Sequence, residues 1–162
     1  MREGFRRQDV FTRPANTTAY AANDVIAATT SDTGTTPLRG VLLGDVANLA
    51  FWLVYLRLDT DLDTFTPTVR IHFYNTDQPG TAVNGDNAAY TKVYANVDEY
   101  LGFADFPALA DVGDHASATN DTVRLQLLPK SGSTLVYYRL EIISGTPTPG
   151  SAQSFTLTFG TA

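Results

Sequence analysis

The sequence contains no cysteine, one methionine, one tryptophan and two histidines among 162 residues. Without cysteine, neither a disulfide framework nor a thiolate metal site can form. Charged residues are also scarce, at 17%, where a globular chain usually has about 25%. The net charge of −6 repels phosphate backbones, so we expect no nucleic-acid partner.

Long apolar runs are absent too. No stretch approaches the roughly 20 apolar residues of a membrane-spanning helix, and the start, MREGFRRQDV, lacks the apolar segment of a signal peptide. We therefore expect no membrane partner and synthesis in the cytosol. A chain of this length is expected to form one domain that buries a core without covalent cross-links.

What the sequence does contain is alternation with a period of two. TPTVRIHFYN, TVRLQLLP, TLVYYRLEII and SFTLTFG place apolar and polar residues on opposite sides, as half-buried strands do. LAFWLVYLRLD is apolar on both sides, which predicts a central strand buried on two faces. Trp52 lies in this segment, and we expect its ring to belong to the core.

Segments rich in Gly, Pro, Asn, Asp and Ser separate about eight such strands. The alternation predicts an all-β fold. The unequal lengths of the connecting segments favour a two-sheet antiparallel β-sandwich with jelly-roll topology. FPALADVG is the one segment for which we expect a short helical turn.

The N-terminal ribbon VFTRPANTTAYAANDVIAATT has no helical period and little charge after Arg13. We predict that residues 1–18 form a basic, extended arm and that residues 19–162 form the jelly-roll domain. The ribbon is expected to pair with a sheet edge, its own or that of a neighbour. Two interpretations of the basic start remain open, a solvated terminus or a docking arm for an acidic partner.

The alternating carboxylates of DTDLDT, namely Asp59, Asp61 and Asp63, resemble the start of a calcium-binding loop. Thr64 and Arg70 stand where that loop requires glycine and glutamate, so a turn is favoured over a weak cation site. We accordingly expect no metal and no other cofactor.

Catalytic signatures are equally sparse. His72 lies on the polar side of a predicted strand, His115 lies in a loop, and neither is spaced from another ligand as in a zinc site. No GxSxG elbow, Walker loop or GxGxxG occurs, so we expect no enzymatic activity. Tyr74 and Tyr137 lie on polar strand faces, where we expect surface contacts.

Four segments resemble a group of small virion proteins of tailed bacteriophages. They are FTRPANTTAYAANDVIA near the start, VRIHFYNTDQP and DNAAYTKVYANVDEYLGFADFPAL in the middle, and PTPGSAQSFTLTF near the end. The similarity extends from Val10 to about Phe159, and the N-terminal motif is the most specific.

This resemblance implies a jelly-roll decoration or cement protein on the capsid exterior, made in the host bacterial cytoplasm, with no catalytic residues. It would bind the major capsid protein, stabilise the expanded head and associate with itself as a symmetric homodimer or homotrimer. The capsid contacts are predicted at Arg6, Arg7, Val10, Phe11, Arg13 and Tyr20. Two alternatives remain, a tail- or fibre-associated adhesin that binds host glycans and a cellular carbohydrate-binding or hydrolytic sandwich.

Overall fold

The computed structural model of the chain describes residues 5–30, 39–42, 47–77, 85–91 and 98–162. No α-helix occurs among these residues, and no helix in them is long and apolar enough to cross a membrane. The prediction of an all-β fold is confirmed. The strands are β1 Phe5–Thr12, β2 Val25–Ile26, β3 Arg39–Leu42, β4 Phe51–Thr60, β5 Thr68–Tyr74, β6 Tyr100–Asp105, β7 Ala110–Asp111, β8 Ala116–Asn120, β9 Leu125–Leu127, β10 Leu135–Ser144 and β11 Ser154–Thr161.

The strands form two antiparallel sheets. The first has the order β1-β11-β4-β8-β7 and the second β2-β10-β5-β6, while β9 pairs with β4 and β3 pairs with β10. Strands β8 and β9 follow one another along β4, as β2 and β3 do along β10. With each such pair counted as one strand and the two-residue edge strand β7 left out, the orders become first-eighth-third-sixth and second-seventh-fourth-fifth. This is the double Greek-key order of a jelly roll.

The core lies between the two sheets and follows the predicted alternation. Inward side chains from β4, β5, β10 and β11 are fully buried, which confirms the period-two interpretation of β5, β10 and β11. They are Leu53, Leu56, Leu58, Val69, Ile71, Phe73, Val136, Leu140, Ile142, Phe155, Leu157 and Phe159. Phe11 of β1 extends this core, since its ring stacks on that of Phe155 with centroids 5.4 Å apart.

Two expectations about local structure are wrong. Trp52 is 46% exposed because Leu53 occupies the inward position and adjacent strand residues point to opposite faces. Strand β4 therefore lies at the centre of its sheet, but it is not buried on both faces. In FPALADVG no helical turn forms, because Ala110 and Asp111 pair with β8 as the short strand β7.

The N-terminal ribbon begins as a strand of the sandwich itself. Strand β1 pairs with β11 along its whole length, from Phe5 opposite Thr161 to Thr12 opposite Ser154. The following residues lead toward β2 of the second sheet, and on the way the Tyr20 amide donates to O of Pro147, in the connection between β10 and β11, at 3.0 Å. The segment predicted as an arm thus contains an edge strand of the chain's own first sheet.

A buried ion pair holds this crossing in place. Nη2 of Arg13 lies 2.7 Å from Oδ2 of Asp86, and both side chains are completely inaccessible to solvent. The Tyr20 hydroxyl donates to Oδ1 of Asp86 at 2.5 Å, and Nε of Arg13 donates to the Tyr20 oxygen at 2.9 Å. Burial, with the Asp86 carboxylate beside it, raises the pKa of Tyr20 and keeps its hydroxyl a donor.

Arg13 and Asp86 also form hydrogen bonds with Asn16, Gly150 and Ala27. Nη1 of Arg13 donates to Asn16 O at 2.5 Å and to Gly150 O at 3.1 Å. The amide of Ala27 donates to Oδ1 of Asp86 at 3.1 Å. Because both charges have several partners, the pair satisfies the condition under which a buried ion pair is tolerated.

Replacing Asp86 with alanine is expected to lower the free energy of unfolding by about 3–5 kcal/mol, because Arg13 would keep a buried charge without its counter-ion. Urea unfolding measures the loss. Asp105→Ala is the matched control, since Asp105 pairs with Arg70 at the surface, where such a pair contributes about 0–1 kcal/mol. Equal losses in the two variants would contradict the role of the buried pair.

Candidate binding surface

The outer faces of the two sheets differ in what covers them. On the second sheet lies a covering segment, residues 85–91. Its backbone pairs beside β2, where Ala88 O accepts the Val25 amide at 2.9 Å, and its Tyr90 ring stacks on His72 of the outer face. On the first sheet, Trp52 and Val10 are 46% and 56% exposed. We call the outer face of the first sheet the open face.

A shallow depression of about 400 Å³ lies on the open face. Three strands build it, because Gln8, Thr158 and Arg57 are direct cross-strand neighbours on β1, β11 and β4. The Nε2 amide of Gln8 donates to the Thr158 hydroxyl at 3.2 Å. The lining residues are Arg6, Arg7, Gln8, Tyr55, Arg57 and Thr158.

One end of the depression is a stack of three residues. Gly160 lies between Arg6 and Tyr55 in the sheet, and a Cβ atom on Gly160 would stand 2.7 Å from Cβ of Tyr55. The Arg6 guanidinium lies over the Tyr55 ring, 4.7 Å from its centroid. This contact orients the guanidinium but leaves its charge available, because the ring carries no net charge.

The second arginine of the depression is held differently. Nε and Nη2 of Arg57 lie 2.9 and 2.8 Å from Oδ1 of Asp59, and this hydrogen bond raises the pKa of Arg57. The side chain of Arg57 remains 43% exposed. Its charge is thus partly neutralised, whereas that of Arg6 is not.

The three carboxylates of DTDLDT do not converge. Asp59 contacts Arg57, and Oδ1 of Asp61 accepts the backbone amide of Ser154 at 3.0 Å. Asp63 lies in the turn beyond β4. Across the described ranges, no three acidic, histidine or cysteine side chains come close enough to hold a metal ion.

The six predicted contact residues separate into two groups. Arg6 and Val10 are exposed, Arg7 is half-buried, and Arg6 and Arg7 line the depression. Phe11, Arg13 and Tyr20 are 5%, 2% and 1% exposed. These three belong to the interior of the sandwich.

The sequence interpretation missed Gln8, Tyr55, Arg57 and Thr158. Arg57 alternates with the buried Leu56 and Leu58, so the pattern of β4 already indicated its outward direction. Tyr55 carried the same signal, since it lies two residues before Arg57, whereas the register shift comes earlier in β4, between Leu53 and Tyr55. An irregularity of this kind changes which side chains point outward, and alternation alone does not reveal it.

The covered face of the second sheet encloses a polar cluster around His72. Nε2 of His72 lies 2.7 Å from Oε2 of Glu141, and Nδ1 lies 2.9 Å from the Tyr100 hydroxyl. The Tyr90 ring of the covering segment stacks on the imidazole with centroids 4.1 Å apart. Tyr74 is 4% exposed and its hydroxyl is hydrogen bonded to that of Tyr90, so the expected surface position of Tyr74 is wrong.

Stability is expected to decrease as the pH falls below about 6.5. Burial lowers the pKa of His72, outweighing the hydrogen bond to Glu141, so the unfolded chain binds this proton more readily than the folded chain. The stability contribution is therefore complete above the unfolded pKa and is lost as the pH falls through it toward the folded pKa. His72→Gln should flatten the slope between pH 7 and 5 in urea unfolding. His115→Gln, which alters the half-exposed histidine, should retain that slope, and a retained slope in His72→Gln would refute the assignment.

Replacing Gly160 with alanine is expected to cost about 1–3 kcal/mol, the usual penalty for forcing an extra methyl group into a packed site. The added Cβ would displace Tyr55 and with it the Arg6 guanidinium. Chemical denaturation gives the cost, and the ring resonances of Tyr55 report the displacement. Gly132→Ala is unsuitable as a control because Gly132 has a φ of +80°. Thr119→Ala, on an exposed position of β8 opposite Arg57, should change neither quantity appreciably.

Comparisons with known proteins find weak similarity to solved structures. No protein-family model matches the chain, and no curated protein matches it. A chain of the full particle of Israeli acute paralysis virus heated to 63 degrees is 14% identical over 98% of this chain and 70% of its own length, with a TM-score of 0.33. A chain of the crystal structure of the Israel acute paralysis virus pentamer is 16% identical over 95% and 86%, with a TM-score of 0.32. Likeness at this level carries no argument about function, which has to come from the chain's own residues.

Proposed function

We propose that the chain is a non-enzymatic structural protein of a virion, which decorates the outer surface of a bacteriophage capsid and stabilises the expanded head. The open face of the first sheet is the docking surface. Support comes from the jelly-roll strand order, an architecture that viral capsid domains and lectins use, together with the sequence resemblance to phage virion proteins. Fold alone does not determine function, so the proposal rests on the residues of the open face.

The observation that carries the proposal is the composition of the open face. Arg6, Tyr55 and Arg57 line its depression, and Trp52 is exposed on the same face of β4. Tryptophan, tyrosine and arginine are the residues most enriched where truncation weakens protein interfaces. This basic surface on a chain of net charge −6 is complementary to an acidic patch on a capsid subunit, which would steer and orient docking.

The shape of the open face also suits a protein partner. Three neighbouring strands present it, and a standard interface needs roughly 800 Å² on each side. A sheet face of this kind offers a broad area, whereas a small-molecule site encloses its ligand. Many copies on one lattice would multiply a modest contact by avidity, and binding only to the expanded state would stabilise that state by mass action.

The histidine geometry agrees with the absence of an enzymatic role. Both ring nitrogens of His72 are engaged, by Glu141 and by the Tyr100 hydroxyl, beneath the Tyr90 ring. His115 contacts the adjacent Asp114 at the surface. His72 is therefore a structural residue of the covered face.

The direct test is quantitative mass spectrometry of purified particles of the virus whose genome encodes the chain. A decoration protein should be present in hundreds of copies and should be accessible to surface labelling. Heads lacking the protein should lose stability, and size-exclusion chromatography should reveal a symmetric dimer or trimer. Particles without the protein would overturn the proposal.

Arg6→Gln and Arg57→Gln should each weaken binding to expanded heads by about tenfold, the effect of losing one interface arginine worth about 1.4 kcal/mol. Raising the salt concentration should weaken wild-type binding more than binding of the double variant. Occupancy per head, measured by co-sedimentation, gives both results. Deleting residues 1–18 is a poorer test, because it also removes β1 and the Arg13–Asp86 pair.

Lys130→Gln is the control for these variants, because it removes one positive charge from a separate depression lined with Asn75 and Tyr137. Heads should bind this variant as they bind the wild type. Equal weakening by all three substitutions would show that net charge, and not the open face, governs the binding.

One observation favours a second candidate, the glycan-binding adhesin. The exposed ring of Trp52 on the same face as Tyr55 would serve as a stacking platform for a sugar. A glycan array distinguishes the two functions, because a decoration protein should give no signal. Specific glycan binding that is lost in Trp52→Ala would replace the decoration proposal with the adhesin.

A further inference from the structure

The covered face of the second sheet contains a buried cation that forms no ion pair with the residues the structure describes. Arg139 lies on the outward side of β10 and is only 5% exposed. Within the same part of the chain, its Nε and Nη2 atoms are both buried and have no hydrogen-bond partner. A buried charged group with unmade hydrogen bonds is costly, so such a group requires a physical explanation.

The carboxylates of this face are already engaged. Both oxygens of Asp105 accept from Arg70, with Nε donating at 2.6 Å and Nη2 at 2.9 Å. Oε2 of Glu141 lies on the imidazole of His72 at 2.7 Å. The sequence segments on either side of the covering segment, residues 78–84 and 92–97, contain no aspartate or glutamate.

Tyr74 and Tyr90 lie on the same outer side as Arg139, whereas Tyr138 points to the core. Burial lowers the pKa of Arg139 to about 10. The guanidinium is therefore still protonated at neutral pH. Burial also raises the pKa of Tyr74 to about 12, so its hydroxyl remains a hydrogen-bond donor.

The two nitrogen atoms without partners define which chemical group could satisfy them. Nε and Nη2 form one edge of the guanidinium, and their N–H groups match the two oxygens of a carboxylate. Arg70 uses the same two atoms to bind Asp105 on the same sheet face. Arg139 thus presents the same donor pair without the acceptor.

We propose that Arg139 binds a carboxylate through Nε and Nη2 beneath the covering segment, with the hydroxyls of Tyr74 and Tyr90 beside it. The carboxylate belongs either to a small free acid or to an aspartate or glutamate of a partner protein. The site lies on the opposite sheet from the open face, so it does not depend on the proposed capsid docking.

Acetate is the probe for the free ligand. Replacing chloride with acetate at constant ionic strength should raise the melting temperature of the full chain with a saturable dependence. A rise of about 5 °C or more is expected at a hundredfold excess over the dissociation constant. In Arg139→Met the melting temperature should not respond, and in acetate-free buffer it should equal or exceed that of the wild type, because a buried charge without a partner has been removed.

Arg70→Gln is the matched control, since it alters an arginine of the same face whose donor pair is occupied. This variant should retain the acetate response. Should Arg139→Met fail to fold, the ¹⁵N resonance of Arg139 Nε in the wild type supplies the same information. It should shift during the acetate titration with the dissociation constant given by the melting data.

Blocked aspartate peptides distinguish the two sources of the carboxylate. If the aspartate peptide shifts the Arg139 resonance, while acetate and the matching asparagine peptide do not, the site binds a side chain of a partner protein. A shift by acetate assigns it to a free acid. A resonance that neither probe moves, or an equal acetate response in Arg139→Met, would overturn the proposal.

Discussion

The buried pair of Arg13 and Asp86 determines how the chain is arranged around its two sheets. Arg13 follows directly after β1, and Asp86 belongs to the covering segment of the second sheet. Their contact, at 2.7 Å with no solvent access, therefore joins the end of the first strand to the covering segment. Tyr20 and the Ala27 amide share the same carboxylate. Because several hydrogen bonds satisfy both charges, the interior accepts them, and the ribbon between β1 and β2 is held to the sandwich.

This arrangement makes the two outer faces unequal. Residues 85–91 cover the second sheet, so polar side chains such as His72 and Arg139 are removed from water. The first sheet keeps its arginines and the ring of Trp52 at the surface. Burial turns the polar side chains of one face into an internal hydrogen-bonded cluster. Exposure leaves those of the other face in contact with solvent, which is the physical basis of the proposal that docking uses the open face.

Part of the candidate site followed from sequence. Arg6 and Arg7 were predicted as contacts, and both line the depression. Arg13 belongs to the same basic cluster in sequence but lies in the interior, because its counter-ion is 73 residues away along the chain. Local sequence contains no information about such a partner. Tyr55 shares the outward side of Arg57 and could have been found from the same alternation. The outward position of Trp52 could not, because the register shift between Leu53 and Tyr55 is a property of the pairing with β11 and not of either strand alone.

Alternation with a period of two was sufficient to determine the all-β class and the inward residues of β5, β10 and β11, because a pleated strand sends successive side chains to opposite sides. In β4, which is apolar on both sides in sequence, only the structure decided which side faces the core. The unequal, turn-rich connections indicated the jelly-roll wiring. Only the tertiary structure decided whether the outward side chains of a strand are exposed to solvent or buried. Tyr74 and Trp52 both point away from the core, yet the first is buried and the second exposed. The difference arises because a remote segment packs over one sheet face, and burial depends on that contact.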